Sequence, residues 1–160
     1  MPDLQETLEQ KISSSYLEAV GRLLQPHRTD GRFTISGPLL RPDGDYVEVE
    51  ITVQPDGKIV LSDAGTSLDY LFVSGLDVTR EELRNTVSLI CRQYGLEISR
   101  EEIRKITDEA KLGVDLHQML TALLAIGCLT YRKRLVVPRF RRTRFDTTVG
   151  TFLRRYAKVS

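Results

Sequence analysis

The chain has 160 residues, with 23 Lys and Arg against 22 Asp and Glu, 41% hydrophobic residues and two cysteines. A near-neutral total excludes a uniformly basic nucleic-acid coat, and about 160 residues is one domain of common size, able to bury roughly two thirds of its unfolded surface without disulfides. Cys91 and Cys128 belong to no CxxC and have no neighbouring His, so they read as reduced core thiols of a cytoplasmic protein. MPDLQETLEQK lacks an apolar core, and no long apolar run follows it, so neither a signal peptide nor a membrane span is expected.

Leu4, Leu8, Ile12, Tyr16, Val20 and Leu23 recur every three or four residues, which predicts an N-terminal helix with one buried stripe, closed by Pro26 and weakened at Ser13, Ser14 and Ser15. From Phe33 the period changes to two. In DYVEVEITVQ, Val47, Val49, Ile51 and Val53 fall on one side and Tyr46, Glu48, Glu50, Thr52 and Gln54 on the other, the pattern of a half-buried strand. Two Pro-Asp-Gly turns, at Pro42 and Pro55, flank it, so FTISGPLL, DYVEVEITV and KIVLS are expected to form a three-stranded antiparallel meander.

Helical spacing resumes after Ser62. Thr79 with Glu82 and Ser99 with Glu102 read as capping boxes, Asp115 with Gln118 as a looser one, and Gly95 and Gly113 as C-terminal caps. The stripes behind these starts are Leu83, Val87, Ile90 and Tyr94, then Ile103, Ile106 and Ala110, then Leu116, Met119, Leu120, Leu123 and Leu124. The expectation is an α+β domain over 1–131: one helix, three strands and about four more helices.

At position 132 the composition changes. Residues 132–160 carry ten Lys and Arg against the single acid Asp146, a balance of +9, whereas the first 131 residues carry 13 against 21, or −8. Arg132, Lys133, Arg134, Arg139, Arg141, Arg142, Arg144, Arg154 and Arg155 are interleaved with Phe140 and other apolar residues in this basic C-terminal extension. Guanidinium groups fork onto phosphates and aromatic rings stack on unpaired bases, which makes the extension a candidate nucleic-acid contact. An intramolecular clasp against the acidic body and a protein-binding surface are the competing readings.

GPLLRPDGDYVEVEITV, DGKIVLSDAGTSLDYL, YGLEISREEI and LHQMLTALLAI, in this order, resemble a family of small bacterial and phage proteins known as a domain of unknown function. Its signature is a strand ending in an "lSDdG" turn before a short helix, which places Asp63 and Gly65 in the signature turn. The resemblance spans roughly residues 5–131. In that family a second uncharacterised domain often follows, and FDTTVGTFLRRYAKVS is similar to the helix that opens one, so the resemblance implies a second domain absent or shortened here. It implies no catalytic residues, and a setting in phage and mobile elements, where small proteins act on nucleic acids or defence machinery.

Other constellations carry less. Asp43, then Asp56 and Lys58, match the letters of a metal-dependent PD-(D/E)xK nuclease, but both aspartates precede Gly in turns that already explain them. Glu48 and Glu50 share one polar sheet face, with Asp63 at the end of the next strand. Such oxygen ligands suit a hard cation, and they equally suit a solvated face or a protein-interaction surface. Asp63 fits an Asx turn or N-cap over Gly65 or Thr66. His27 and His117 have no nucleophile beside them, and phosphate-binding glycine loops are absent. No cofactor, metal or catalytic residue is expected. The sequence therefore reads as a binding module contacting nucleic acid through its extension, with a protein-interaction domain that blocks a host or phage enzyme as the alternative. It leaves the oligomeric state open.

Overall fold

A computed structural model describes residues 7–29 and 31–131. Helix α1 (Leu8–Leu23) is followed by strands β1 (Gln25–Thr29), β2 (Arg32–Leu40), β3 (Tyr46–Val53) and β4 (Ile59–Ser62). Helices α2 (Thr66–Val73) and α3 (Glu81–Gln93), strands β5 (Glu97–Ser99) and β6 (Glu102–Thr107), and helix α4 (Leu112–Gly127) complete the α+β fold. The strands form one antiparallel sheet in the order β1-β2-β3-β4-β6-β5. Strands β2, β3 and β4 are consecutive neighbours, as the two Pro-Asp-Gly turns predict, with Gly44 and Gly57 at φ 91° and 81° where the reversals need left-handed backbone.

The sheet has six strands rather than the expected three. On one side β1 adds to β2, and Pro26, placed at the close of the N-terminal helix by sequence, lies inside β1, an edge position where a missing N–H is tolerated. On the other, residues 99–107, expected as a helix start, form the β5–β6 hairpin. Ser99 pairs with Glu102 across a two-residue loop whose Arg100 and Glu101 both have positive φ, 52° and 69°, the requirement of a type I′ turn. Asn-Gly would have announced that turn; Arg-Glu does not. The true period in β6 is two: Ile103 and Thr107 are buried and Ile106 is exposed.

Other helix starts also differ from expectation. Thr79 turns its hydroxyl to Asp77 Oδ1 at 2.5 Å instead of capping α3, which begins after Arg80 with no side-chain cap. Asp115 and Gly113 both lie within α4. Gly95, at φ 66°, does end α3, and Leu96 donates its N–H back to Cys91 O at 2.8 Å.

One face of the sheet carries the core. Val47, Val49, Ile51, Ile59, Leu61 and Ile103 pack against Leu71 of α2, Val87 and Cys91 of α3, and Met119, Leu120, Leu123 and Ile126 of α4. Helix α4 crosses so close to β2 that a Cβ at Gly37 would stand 2.8 Å from Leu120 Cδ2. The N-terminal stripe departs most from expectation. Helix α1 runs unbroken through its three serines, with a Thr7–Gln10 capping box, and buries none of its residues. Only Val20, and Leu24 just beyond the helix, are half-buried. Among the described residues no helix is long and apolar enough to cross a membrane.

Because Leu120 is itself buried, Gly37→Ala is expected to cost about 1–3 kcal/mol by overpacking. Gly21→Ala in α1, with nothing within 4 Å of the added Cβ, is expected to be neutral or stabilising. Urea denaturation of the two variants checks the contrast.

Candidate functional site

The face of the sheet opposite the core is largely polar, with Tyr46, Val60 and Ile106 among its residues. Antiparallel register aligns Thr34 of β2, Glu50 of β3, Ser62 of β4, Arg104 of β6 and Glu97 of β5 in one row across five strands. Ser36 and Glu48 lie in the next row, where Ser36 Oγ donates to Glu48 Oε1 at 3.0 Å. Arg32 reaches Glu50 at 3.4 Å, Arg104 reaches Glu97 at 2.7 Å, and Ser62 Oγ donates to Glu102 Oε2 at 3.3 Å. Four glutamates therefore share this face with two arginines. Glu48 and Glu50 are the adjacent pair that strand alternation in the sequence identifies.

The face ends in a cleft where the sheet splits. Strand β4 stops at Ser62, opposite Glu50, so Tyr46 to Val49 of β3 have no β4 residue beside them. The chain leaves through Asp63, Ala64 and Gly65, the last two at φ 51° and 80°, and enters α2. Asp63 drives this departure. Its buried carboxylate accepts the N–H groups of Gly65 (3.0 Å) and Ile103 (2.8 Å) at Oδ1 and of Ser67 (3.1 Å) at Oδ2, while its own N–H donates to Ile103 O. One side chain thus caps α2 and ties β4 to β6.

The resulting cavity, about 530 Å³, is lined by Arg41, Asp45, Tyr46, Glu48, Thr66, Asp69, Tyr70 and Val73. The Arg41 guanidinium lies 4.6 Å from the Tyr70 ring centroid and pairs with Asp43 and Asp45 at 3.4 and 3.3 Å. Three carboxylates and two tyrosine rings surround one arginine whose buried Nε has no partner among the described residues, and the carboxylates suit cationic side chains. The sequence identifies Glu48 alone of this set. Arg41 and Asp45 flank the first Pro-Asp-Gly turn, a spacing that marks them as neighbours, but only the long-range placement of α2 brings Tyr70 and Asp69 to them.

The remaining candidates are not brought together. Asp43 and Asp56 sit at opposite ends of β3, an eight-residue strand about 26 Å long at ~3.3 Å per residue, each accepting a backbone N–H two residues on, from Asp45 and Lys58. Among the described residues no group of three or more His, Cys, Asp or Glu is arranged to hold a metal ion. His27 lies on the edge strand and His117 on the exposed side of α4. Burial, reinforced by the Asp63 carboxylate, pushes the Cys91 thiol up to about 11, which leaves it unreactive at neutral pH. Arg132, Phe140 and the other residues of the basic extension lie outside the described residues.

A second buried polar cluster is structural. Lys105 of β6 points into the core side and pairs with Asp115 of α4 at 2.7 Å, also donating to Gln118 Oε1 (2.9 Å) and Tyr94 O (3.3 Å). Thr107 Oγ1 donates to Asp115 Oδ2 at 2.5 Å. Burial alone pushes the Asp115 carboxyl up, but hydrogen bonds from Lys105 and Thr107, with the charges of Lys105 and Lys111, outweigh it and hold it below its ordinary value. Its stabilisation is therefore present above about pH 4, the ordinary aspartate value, and is lost as pH falls through the lower folded value. Asp115→Ala is expected to cost about 3–5 kcal/mol, because it strands the Lys105 ammonium, whereas Lys105→Met with Asp115→Leu costs far less and removes this carboxyl's share of the acid sensitivity. Denaturation of the three proteins across pH checks both points.

Comparison with known proteins places these features. The family described as Domain of unknown function DUF1828 matches residues 37–126. No curated protein and no solved structure matches the chain. The match runs from Gly37 in β2 to the last turn of α4, takes in Glu48, Glu50, the Asp63 turn and the cleft, and covers more than half of the sequence. The chain belongs to the DUF1828 family of domains of unknown function.

Proposed function

We propose that the protein is a non-enzymatic binding module whose acidic sheet face and adjoining cleft engage a basic surface on a protein partner. The observation that supports this reading is the contiguity of Glu48, Glu50, Asp45 and Asp69 on one side of a domain whose first 131 residues carry 13 bases against 21 acids. Cationic side chains meet carboxylates there, and the Tyr46 and Tyr70 rings add surface over which a cation can lie. The fit is to an inhibitor-like protein that occupies a basic groove on a host or phage enzyme. The phage and mobile-element setting implied by the sequence resemblance suits such a role.

Glu48→Lys with Glu50→Lys reverses two charges at non-core positions. The fold is expected to survive, and recovery of a specifically captured partner from a bacterial host to fall at least tenfold, read by quantitative mass spectrometry against wild type. Equal recovery would refute the reading.

The segregation of charge supports a second reading, nucleic-acid contact through residues 132–160, with Arg132, Lys133, Arg134, Arg139, Arg141, Arg142, Arg144, Arg154 and Arg155 on phosphates and Phe140 on a base. If about five bases reach phosphates, log K falls against log salt with a slope of about −4 to −5. Fluorescence titration of DNA and RNA oligonucleotides at several salt concentrations measures it. Deletion of 132–160 is expected to abolish binding; unchanged affinity after the deletion rules this reading out.

A further inference from the structure

The domain exposes an apolar helix stripe at one end of the sheet and an apolar groove at the other. The stripe belongs to α1: Leu8, Ile12, Tyr16 and Leu23 are 73, 62, 66 and 52% exposed. The Thr7–Gln10 capping box fixes where the helix begins, yet a 16-residue helix lies near the length at which isolated helices are marginal in water. Its apolar side needs packing to hold the helix. The groove, about 610 Å³, lies between α2, α3 and the β5–β6 turn, with Phe72, Val78 and Ile98 beside the buried Val87.

The two surfaces cannot meet within one chain. Helix α1 joins β1 through Leu24 alone and lies beside β2, whereas the groove adjoins β5. In the six-strand order β2 and β5 are four spacings apart, about 19 Å at ~4.8 Å per strand. We infer that the groove receives helix α1 of a second copy of this chain, in a reciprocal two-fold dimer.

Charge complementarity supports that occupant. Asp69, Glu101, Arg84 and Arg100 line the groove and form no ion pair among the described residues. Glu9 and Lys11, beside the α1 stripe, form none among the described residues either, so each sign on the helix has an opposite sign available on the groove. Arg100 and Glu101 hold left-handed backbone that glycine or asparagine adopts at lower cost, and both line the groove.

Reciprocal docking closes with two copies, because each contributes the same helix and the same groove. A helix of 16 residues is about 24 Å long and roughly 10 Å wide. Two such contacts, counted on both partners, cover about 1,000 Å², the lower bound for a specific interface, so dimerisation is expected to depend on concentration.

Sedimentation of the full chain from low micromolar to submillimolar concentration is expected to show a monomer–dimer equilibrium. Ile12→Glu with Tyr16→Glu, and separately Phe72→Glu, should each raise the dissociation constant at least tenfold while circular dichroism reports a folded domain. Arg100→Asn with Glu101→Gly should raise the melting temperature and weaken the dimer. Equimolar Ile12→Cys and Phe72→Cys chains, oxidised together, should give the mixed 12–72 disulfide as the main covalent dimer. A wild-type chain that stays monomeric, a Phe72→Glu dimer of undiminished strength, or a predominant 12–12 disulfide, which would mark stripe-to-stripe pairing, each overturns the inference.

Discussion

A single buried carboxylate organises this domain. Asp63 accepts three backbone N–H groups, from Gly65, Ser67 and Ile103, and thereby decides where β4 ends, how α2 begins and where β6 lies. Without that acceptor three amides would lose their partners, each at a cost of order 1–3 kcal/mol when buried. The departure of the chain from β3 at this point opens the cleft above Tyr46 and Glu48. The anchoring of Ile103 in turn extends the sheet to β5. Fold and candidate site therefore share one origin, and the site has its shape because a strand stops early.

The sequence is legible where local chemistry and tertiary environment agree. Strand β3 alternates Val47, Val49 and Ile51 with polar residues because one face meets the core and the other meets water. The α4 stripe around Met119, Leu120 and Leu123 is equally direct. The reading fails at residues 99–107 for an identifiable reason. Ile103, Ile106 and Ala110 satisfy a helical period, and a strand requires Lys105 to face the core side, which makes sense only once Asp115, Thr107 and Gln118 are known to surround it. The α1 stripe fails differently: periodicity identifies the helix but carries no information about whether its apolar side meets its own domain. Arg41 and Tyr70 form a cleft through packing that no local pattern encodes.

The polar sheet face and the apolar helices divide the labour of the surface. Glutamates paired with serines and arginines across neighbouring strands give a face that is hydrated and specific in charge, suited to reversible recognition and sensitive to salt. Apolar exposure is marked on α1 and around α2, where Phe72 and Val73 project, and it recurs at Val53, Leu89, Ile106 and Val114. The acidic cleft and the apolar groove both draw on α2, and Asp69 lines each of them.

The edge strands carry a consequence for behaviour at high concentration. At one border of the sheet β1 contains Pro26, which has no N–H to offer; at the other, β5 is only three residues long. Neither border offers a long, unbroken ladder for a foreign strand, so open-ended growth by strand addition is disfavoured even in a six-stranded sheet. Crowding is then expected to drive this protein toward finite assemblies built from side chains rather than toward fibres built from backbone.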